Sequence, residues 1–170
     1  MDNIEESLQA LEQARTRHPD PPTPGSSAET EALERFARFF SSFAADRIER
    51  LLPQTYAEDV YFNDTLKSVR GRQPLAHYLA ESADAVEQCT VQILDSASTP
   101  SGEHWLRWKM MIRFKKLRRG VDTWTIGASH LRFNGEGLVV YHQDYWNAAN
   151  GIFQHIPLLG WMINKIKQRL

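Results

Sequence analysis

An imidazole and a carboxylate stand two residues apart near the end of the chain, in the β-prone run Leu138-Val-Val-Tyr-His142-Gln-Asp144-Tyr-Trp146. Strand alternation puts His142, Asp144 and Trp146 on one face and Tyr141, Gln143 and Tyr145 on the other. Such a pair on a buried face shares a proton, and burial raises the carboxyl pKa toward useful acid/base range. The other reading is structural: the two groups satisfy each other inside a core. In the run before it, Thr125, Gly127, Ser129, Leu131 and Phe133 share a face, while His130 points the opposite way. No third ligand is therefore in register, and no metal is expected. Asp64 follows the short run Val60-Tyr-Phe62, where a carboxylate either caps the turn into Thr65-Leu66 or faces a cavity. Phe62, Trp108, Phe133 and Trp146 supply aromatic surface, and in a cone-shaped fold the core and the wall of a pocket are one surface. Cys89 is the only cysteine, so a disulfide within the chain is impossible, and a small buried apolar role is expected for it.

Several elements must hold these groups. Ile4, Leu8, Leu11 and Ala14 recur at helical spacing, and four prolines within residues 18–27 then break the pattern, which predicts a helical leader and a Pro-rich linker over 1–28. From Thr30 the stripe Leu33, Phe36, Ala37, Phe40 and Phe43 predicts a helix with a wide aromatic face. A short helix over 47–52 follows, with Asp46 as its N-cap and Pro53 as its stop. Gly71 opens another helix through Leu75, Tyr78, Leu79 and Ala83. Four β-rich runs, 90–97, 104–115, 121–133 and 138–146, are parted by turn sequences and predict an antiparallel meander. In the second run Leu106, Trp108, Met110, Ile112 and Phe114 alternate with Arg107, Lys109, Arg113 and Lys115, which marks an inside and an outside. Helices first and a meander after give an α+β fold, a curved antiparallel sheet covered by the early helices over 29–150. Residues 151–170 are expected to close it as an amphipathic helix, packed on the domain or on a partner rather than on a membrane.

The 170 residues carry 20 Lys and Arg against 21 Asp and Glu, a net charge of -1, so nucleic acid is not an expected partner. The basic stretch from Arg113 to Arg119 reads as a solvated hairpin tip. An acidic N-terminus and the lack of any run of about 18 apolar residues predict a cytoplasmic protein. The apolar face of 121–133, with Trp124 and Ile126, suggests a homodimer.

Two segments carry a resemblance. Tyr56-Ala-Glu-Asp-Val-Tyr-Phe-Asn-Asp64-Thr with Val69-Arg-Gly71, and His130-Leu-Arg-Phe-Asn-Gly-Glu-Gly137-Leu-Val-Val with Asp144-Tyr-Trp146, together resemble the nuclear transport factor two-like superfamily, which includes ketosteroid isomerases and SnoaL-like polyketide cyclases. Thr65 stands where that pattern has proline. The resemblance implies a cone-shaped roll around a small-molecule pocket. It places Asp64 at the general base of the isomerases and Asp144 on the strand that supplies acid/base carboxylates in SnoaL-like cyclases and epoxide hydrolases of similar fold. Ser129 falls where the isomerases keep a protonated Asp, and Arg38 or Phe39 where they keep a Tyr, so steroid isomerisation is not expected. The expectation is a cofactor-free isomerase, cyclase or hydratase acting on an apolar oxygenated molecule. Asp64 or Asp144 would move the proton, His142 would set the state of Asp144, and Ser129 would donate to a developing oxyanion. A non-catalytic binder of apolar ligands is the alternative.

Overall fold

The computed structural model describes residues 3–156 and, beyond them, Ile163, Lys165 and Gln168. Among the described residues up to Ile156 the helical elements are α1 (Asn3–Arg17), α2 (Ser27–Phe40), α3 (Ala45–Thr55), α4 (Arg72–Asp84) and the short α5 (Ala148–Gly151), followed by a 3-10 turn (Phe153–His155). Six strands are β1 (Tyr56–Asn63), β2 (Ser68–Arg70), β3 (Val86–Ser98), β4 (Glu103–Phe114), β5 (Asp122–Phe133) and β6 (Val139–Trp146). The closing helix expected over 151–170 lies outside the described residues from Pro157 onward, save for those three positions. Among the described residues no helix is long and apolar enough to cross a membrane.

One curved, unclosed sheet has the strand order β2-β1-β6-β5-β4-β3. Strands β3 to β6 form the antiparallel meander, and β1 then joins β6 in parallel, with Phe62 opposite His142. That one pairing carries the Asp64 segment across to the Asp144 strand. Helices α2, α3 and α4 cover the inner face, where Ala32, Phe36, Phe39, Leu52, Leu75 and Leu79 pack on Val60, Leu106, Leu131 and Phe133. Ser26 caps α2 by accepting the Glu29 N–H, and the helix starts at Ser27, earlier than its apolar stripe.

Helix α3 corrects two expectations. Its N-cap is Ala44, which makes no side-chain cap, while Asp46 sits in the first turn and faces the positive end of the helix dipole. Pro53 lies inside the helix, which runs on to Thr55. Burial of Ile48, Leu52 and Thr55 on the core, with the Thr55 hydroxyl donating to the Leu51 carbonyl, outweighs the roughly 3 kcal/mol that an interior proline costs.

The outer face has a second core. Ala10, Leu11 and Ala14 of α1 are buried against Ala57, Tyr61, Val140 and Tyr141, and the Ser7 hydroxyl lies 2.8 Å from the Tyr141 phenol. Arg15 Nε donates to Glu103 at 2.9 Å, Arg132 reaches the same carboxylate at 3.3 Å, and Arg132 also donates to the His18 carbonyl in the Pro-rich stretch at 2.8 Å. Burial opposes ionisation of Glu103, but the bonds from Arg15 and Ser101 and the Arg15 charge prevail and hold its pKa at about 2. Its folded value lies below the ordinary 4.5, so this ionised group stabilises the fold above pH 4.5 and loses that contribution as pH falls from 4.5 toward 2. Glu103→Gln is expected to lower stability at neutral pH by about 2 kcal/mol and to flatten the acid limb of a denaturation series measured between those values.

Candidate active site

Between α2, α4 and the inner sheet face lies a cavity of about 260 Å³. Its wall is largely apolar, with Phe36, Phe40 and Phe43 from α2, Phe62 from β1, and Trp108 and Trp146 from the sheet. Among the described residues the polar lining groups are Asp64, Tyr78, Ser82, Ser129, His142 and Asp144, with neither Lys nor Arg.

Register explains how the sheet assembles the polar end. Ser129 pairs with Asp144 and Leu131 with His142 across β5 and β6, and Leu106 pairs with Ser129 across β4 and β5. Trp108, two residues along from Leu106, shares its face and pairs with Gly127. The indole has only a donor, so Trp108 Nε1–H donates to Ser129 Oγ at 2.9 Å, and the serine's single proton then goes to Asp144 Oδ1 at 2.5 Å. His142 Nε2 lies 2.8 Å from the same Oδ1, and the Tyr56 phenol lies 2.8 Å from His142 Nδ1. Tyr56 is fully buried, and burial followed by the Asp144 charge pushes its pKa well up, so it remains an O–H donor. Nδ1 therefore accepts, and a ring carrying its proton on Nε2 satisfies both neighbours. The line Tyr56–His142–Asp144–Ser129–Trp108 thus has one consistent set of donors and acceptors. Among the described residues no hydrogen bond reaches Asp144 Oδ2, and Asp144 lines the cavity.

Asp64 is placed differently. Its Oδ1 accepts the N–H groups of Leu66 at 3.0 Å and Lys67 at 2.9 Å, and its Oδ2 accepts the Tyr78 phenol at 2.5 Å. Its carbonyl accepts Trp146 Nε1–H at 2.7 Å. The carboxylate caps the turn and lines the cavity at once, so the two sequence readings meet in one residue. Burial raises its pKa, against the bonds from Tyr78, Lys67 and Leu66 that lower it. Thr65, which stands where the superfamily pattern has proline, adopts φ 73° and donates its N–H to Asn63 Oδ1 at 2.8 Å. A proline can do neither, so the turn that presents Asp64 is built on different terms from the pattern.

Phe62, Trp108, Ser129, Trp146, His142, Asp64 and Asp144 are brought to one cavity, whereas Phe133 is not. Phe133 shares the strand face with Ser129 but lies four residues, about 13 Å, toward the closed end, where it is fully buried edge-on to His104 at 5.0 Å. Alternation decides the face of a sheet and leaves the depth along the strand open. The Ser129 hydroxyl spends its proton on Asp144, which overturns its expected role as a donor to an oxyanion. Cys89 sits in the wall, its thiol pushed up to about 12 by burial, and is no nucleophile. His130, on the outer face, stacks on Trp105 at 4.4 Å, and burial brings it down to about 4.

Two tyrosines were missed from the sequence. Tyr78 stood in plain view on the apolar stripe of α4 between Leu75 and Leu79, a polar tip on a buried face. Tyr56 carried no local signal, because its partner is 86 residues away.

The SnoaL-like domain family matches residues 34–142, which spans every strand except the last four residues of β6. The chain belongs to that family. Solved structures agree on the fold. A Catenulispora acidiphila protein of ketosteroid isomerase-like fold, in complex with trimethylamine, superposes with a TM-score of 0.64 at 17% identity, covering 82% of this chain and 98% of that one. An M. tuberculosis LEH-like epoxide hydrolase gives 0.60 at 13% identity, covering 85% and 99%. A phenazine biosynthesis-related protein from Pseudomonas aeruginosa gives 0.56 at 14% identity, covering 72% and 83%. No curated protein matches the chain in sequence. At these identities the likeness concerns the nuclear transport factor two-like fold.

Proposed function

We propose that the cavity is the site of a cofactor-independent isomerase, cyclase or hydratase that works by carboxylate acid/base chemistry on an apolar, oxygen-bearing substrate, with Asp144 moving the proton. The observation that supports this is the asymmetry of Asp144, which lines a cavity with aromatic walls: Oδ1 is fixed by Ser129 and His142, while Oδ2 has no hydrogen-bond partner among the described residues. A base must be held in place and still have an open oxygen. His142, itself oriented by Tyr56, donates to Oδ1 and steadies the carboxylate as its charge changes. Asp64, whose oxygens are already engaged, has the supporting part of holding Tyr78. With its single proton given to Asp64, the Tyr78 phenol offers the cavity an acceptor oxygen. The epoxide hydrolase among the structural neighbours accords with water activation by such a carboxylate. Solvent deuterium exchange tests the proposal. Incubated in heavy water with cyclic β,γ-unsaturated ketones or apolar epoxides, the protein is expected to label the carbon acid or add one solvent oxygen. Release of a retained small molecule unchanged, with neither label nor addition across the panel, would favour the non-catalytic binder.

We also propose that a second copy covers the outer sheet face. Trp124 is 60% exposed, Ile126 69%, Tyr145 48% and Trp105 40%, and they share the face that α1 leaves open. Large apolar side chains grouped on an open sheet favour association. The double variant Trp124→Glu with Ile126→Glu is expected to run as a monomer in light scattering where the unaltered chain runs as a dimer, and a monomer in both cases ends the proposal.

A further inference from the structure

The segment Lys115-Lys-Leu-Arg-Arg-Gly120 holds four cations and no acid, and the fold carries it to the mouth of the cavity. Phe114, just before it, lines the cavity and pairs with Val86, another lining residue. Lys115 N–H donates at 3.2 Å to the carbonyl of Ala85, also in the wall. On the other side Arg118 lies 3.2 Å from His155, three residues beyond Ile152, which lines the cavity too. Exposure identifies this end as the opening: Leu66 and Ala85 are exposed and Val86, Phe114 and Ile152 half-buried, whereas Phe36, Phe62, Trp108 and His142 are buried. Lys67 stands at the same rim, its Nζ 4.9 Å from the centre of the Tyr78 ring.

Charge is therefore divided along the cavity. Asp144 and Asp64 lie within, no Lys or Arg lines the wall among the described residues, and Lys67, Lys115, Lys116, Arg118 and Arg119 are exposed around the entrance. Outside the cavity the acids nearest this rim along the chain are Asp84, Glu87 and Asp122, three against five; Asp122 is taken up by Arg113 at 2.7 Å, and no ion pair joins any of the three to the tip among the described residues. With a net charge of -1 the whole chain has no long-range field, so this cluster acts locally. We infer that the ligand is an amphiphile whose apolar body fills the cavity and whose anionic end group, a carboxylate or a phosphate, is held at the rim by Lys115, Lys116 and Arg119. This rests on reading the cavity as a ligand site and adds the nature of the ligand's outer end. Fork-shaped guanidinium and flexible ammonium donors suit either anion.

Calorimetric titration with decanoate, decyl phosphate, decanol and decyltrimethylammonium separates the parts of this claim, because the chain is constant and only the head changes. At low salt the two anions are expected to bind about tenfold tighter than decanol, and the ammonium more weakly than decanol. The tighter anion names the group. The variant K115Q/K116Q/R119Q, altered only on the exposed tip, is expected to keep its melting temperature and its affinity for decanol while bringing both anions to within about twofold of the alcohol, as is about 0.5 M salt with the unaltered chain. Equal affinity for anion and alcohol in the unaltered chain, or an equal fall for every probe in the variant, overturns the inference and leaves the cavity reading intact. Failure of all four probes, decanol included, overturns both.

Discussion

Asp144→Asn is expected to reduce turnover by about a thousandfold, the middle of the range for losing a positioned general base, and to leave the fold standing. The amide is the same size as the carboxylate, and its oxygen still accepts from Ser129 and His142 at the Oδ1 position. Only the open basic oxygen is lost, replaced by an NH2 group facing the cavity. Ligand affinity is therefore expected to change by less than about tenfold, since the apolar wall that binds the substrate body is untouched. A kcat that falls while KM holds is the signature of a group acting in the chemical step. Asp64→Asn, by contrast, is expected to cost less than about a hundredfold, because that carboxylate is committed to two backbone N–H groups and Tyr78. Assay of both variants on whichever compound shows deuterium exchange checks the ranking, and a larger loss at Asp64 would transfer the base to that residue.

The second large effect is expected at Gly127. A Cβ there would stand 2.5 Å from two ring carbons of Trp108 and 2.8 Å from Cβ of Trp146. Neither indole can yield freely: Trp108 is buried and donates to Ser129, and Trp146 donates to the Asp64 carbonyl. Gly127→Ala is therefore expected to cost about 2–3 kcal/mol of stability, in the manner of an overpacked core. It is also expected to weaken ligand binding by about tenfold, because both walls and the Ser129–Asp144 bond shift together. Urea denaturation gives the first quantity and calorimetry the second. An unchanged midpoint would mean that the two indoles move independently of the site.

The sequence made the inner and outer faces of the sheet legible, and with them most of the site, because strand alternation is a strict rule. His142, Asp144, Ser129, Trp108 and Trp146 meet as alternation requires, and the turn motifs around Asp64 and Gly71 identify the family correctly. Three kinds of information were not local. Depth along a strand misplaced Phe133, which shares a face with the cavity but sits beyond its closed end. Hydrogen-bond direction set Ser129 apart from its expected part, since the Asp144 carboxylate can only accept and takes the serine proton, while Trp108 on the neighbouring strand donates to the same hydroxyl oxygen. Long-range pairing hid Tyr56, and burial on the core overrode the expected stop at Pro53. The leader likewise showed its helical stripe, but not that Ala10, Leu11 and Ala14 would be buried on the outer face by Tyr61 and Tyr141.

A crystal structure of the protein purified with its own ligand, or with the tightest of the titrated amphiphiles, bears most directly on the role of Asp144. The ligand's body is expected among Phe62, Trp108 and Trp146, with a reactive C–H, O–H or bound water within about 3 Å of Asp144 Oδ2. A ligand seated elsewhere, or one in the cavity with Asp144 Oδ2 turned away and bonded to protein, would contradict it.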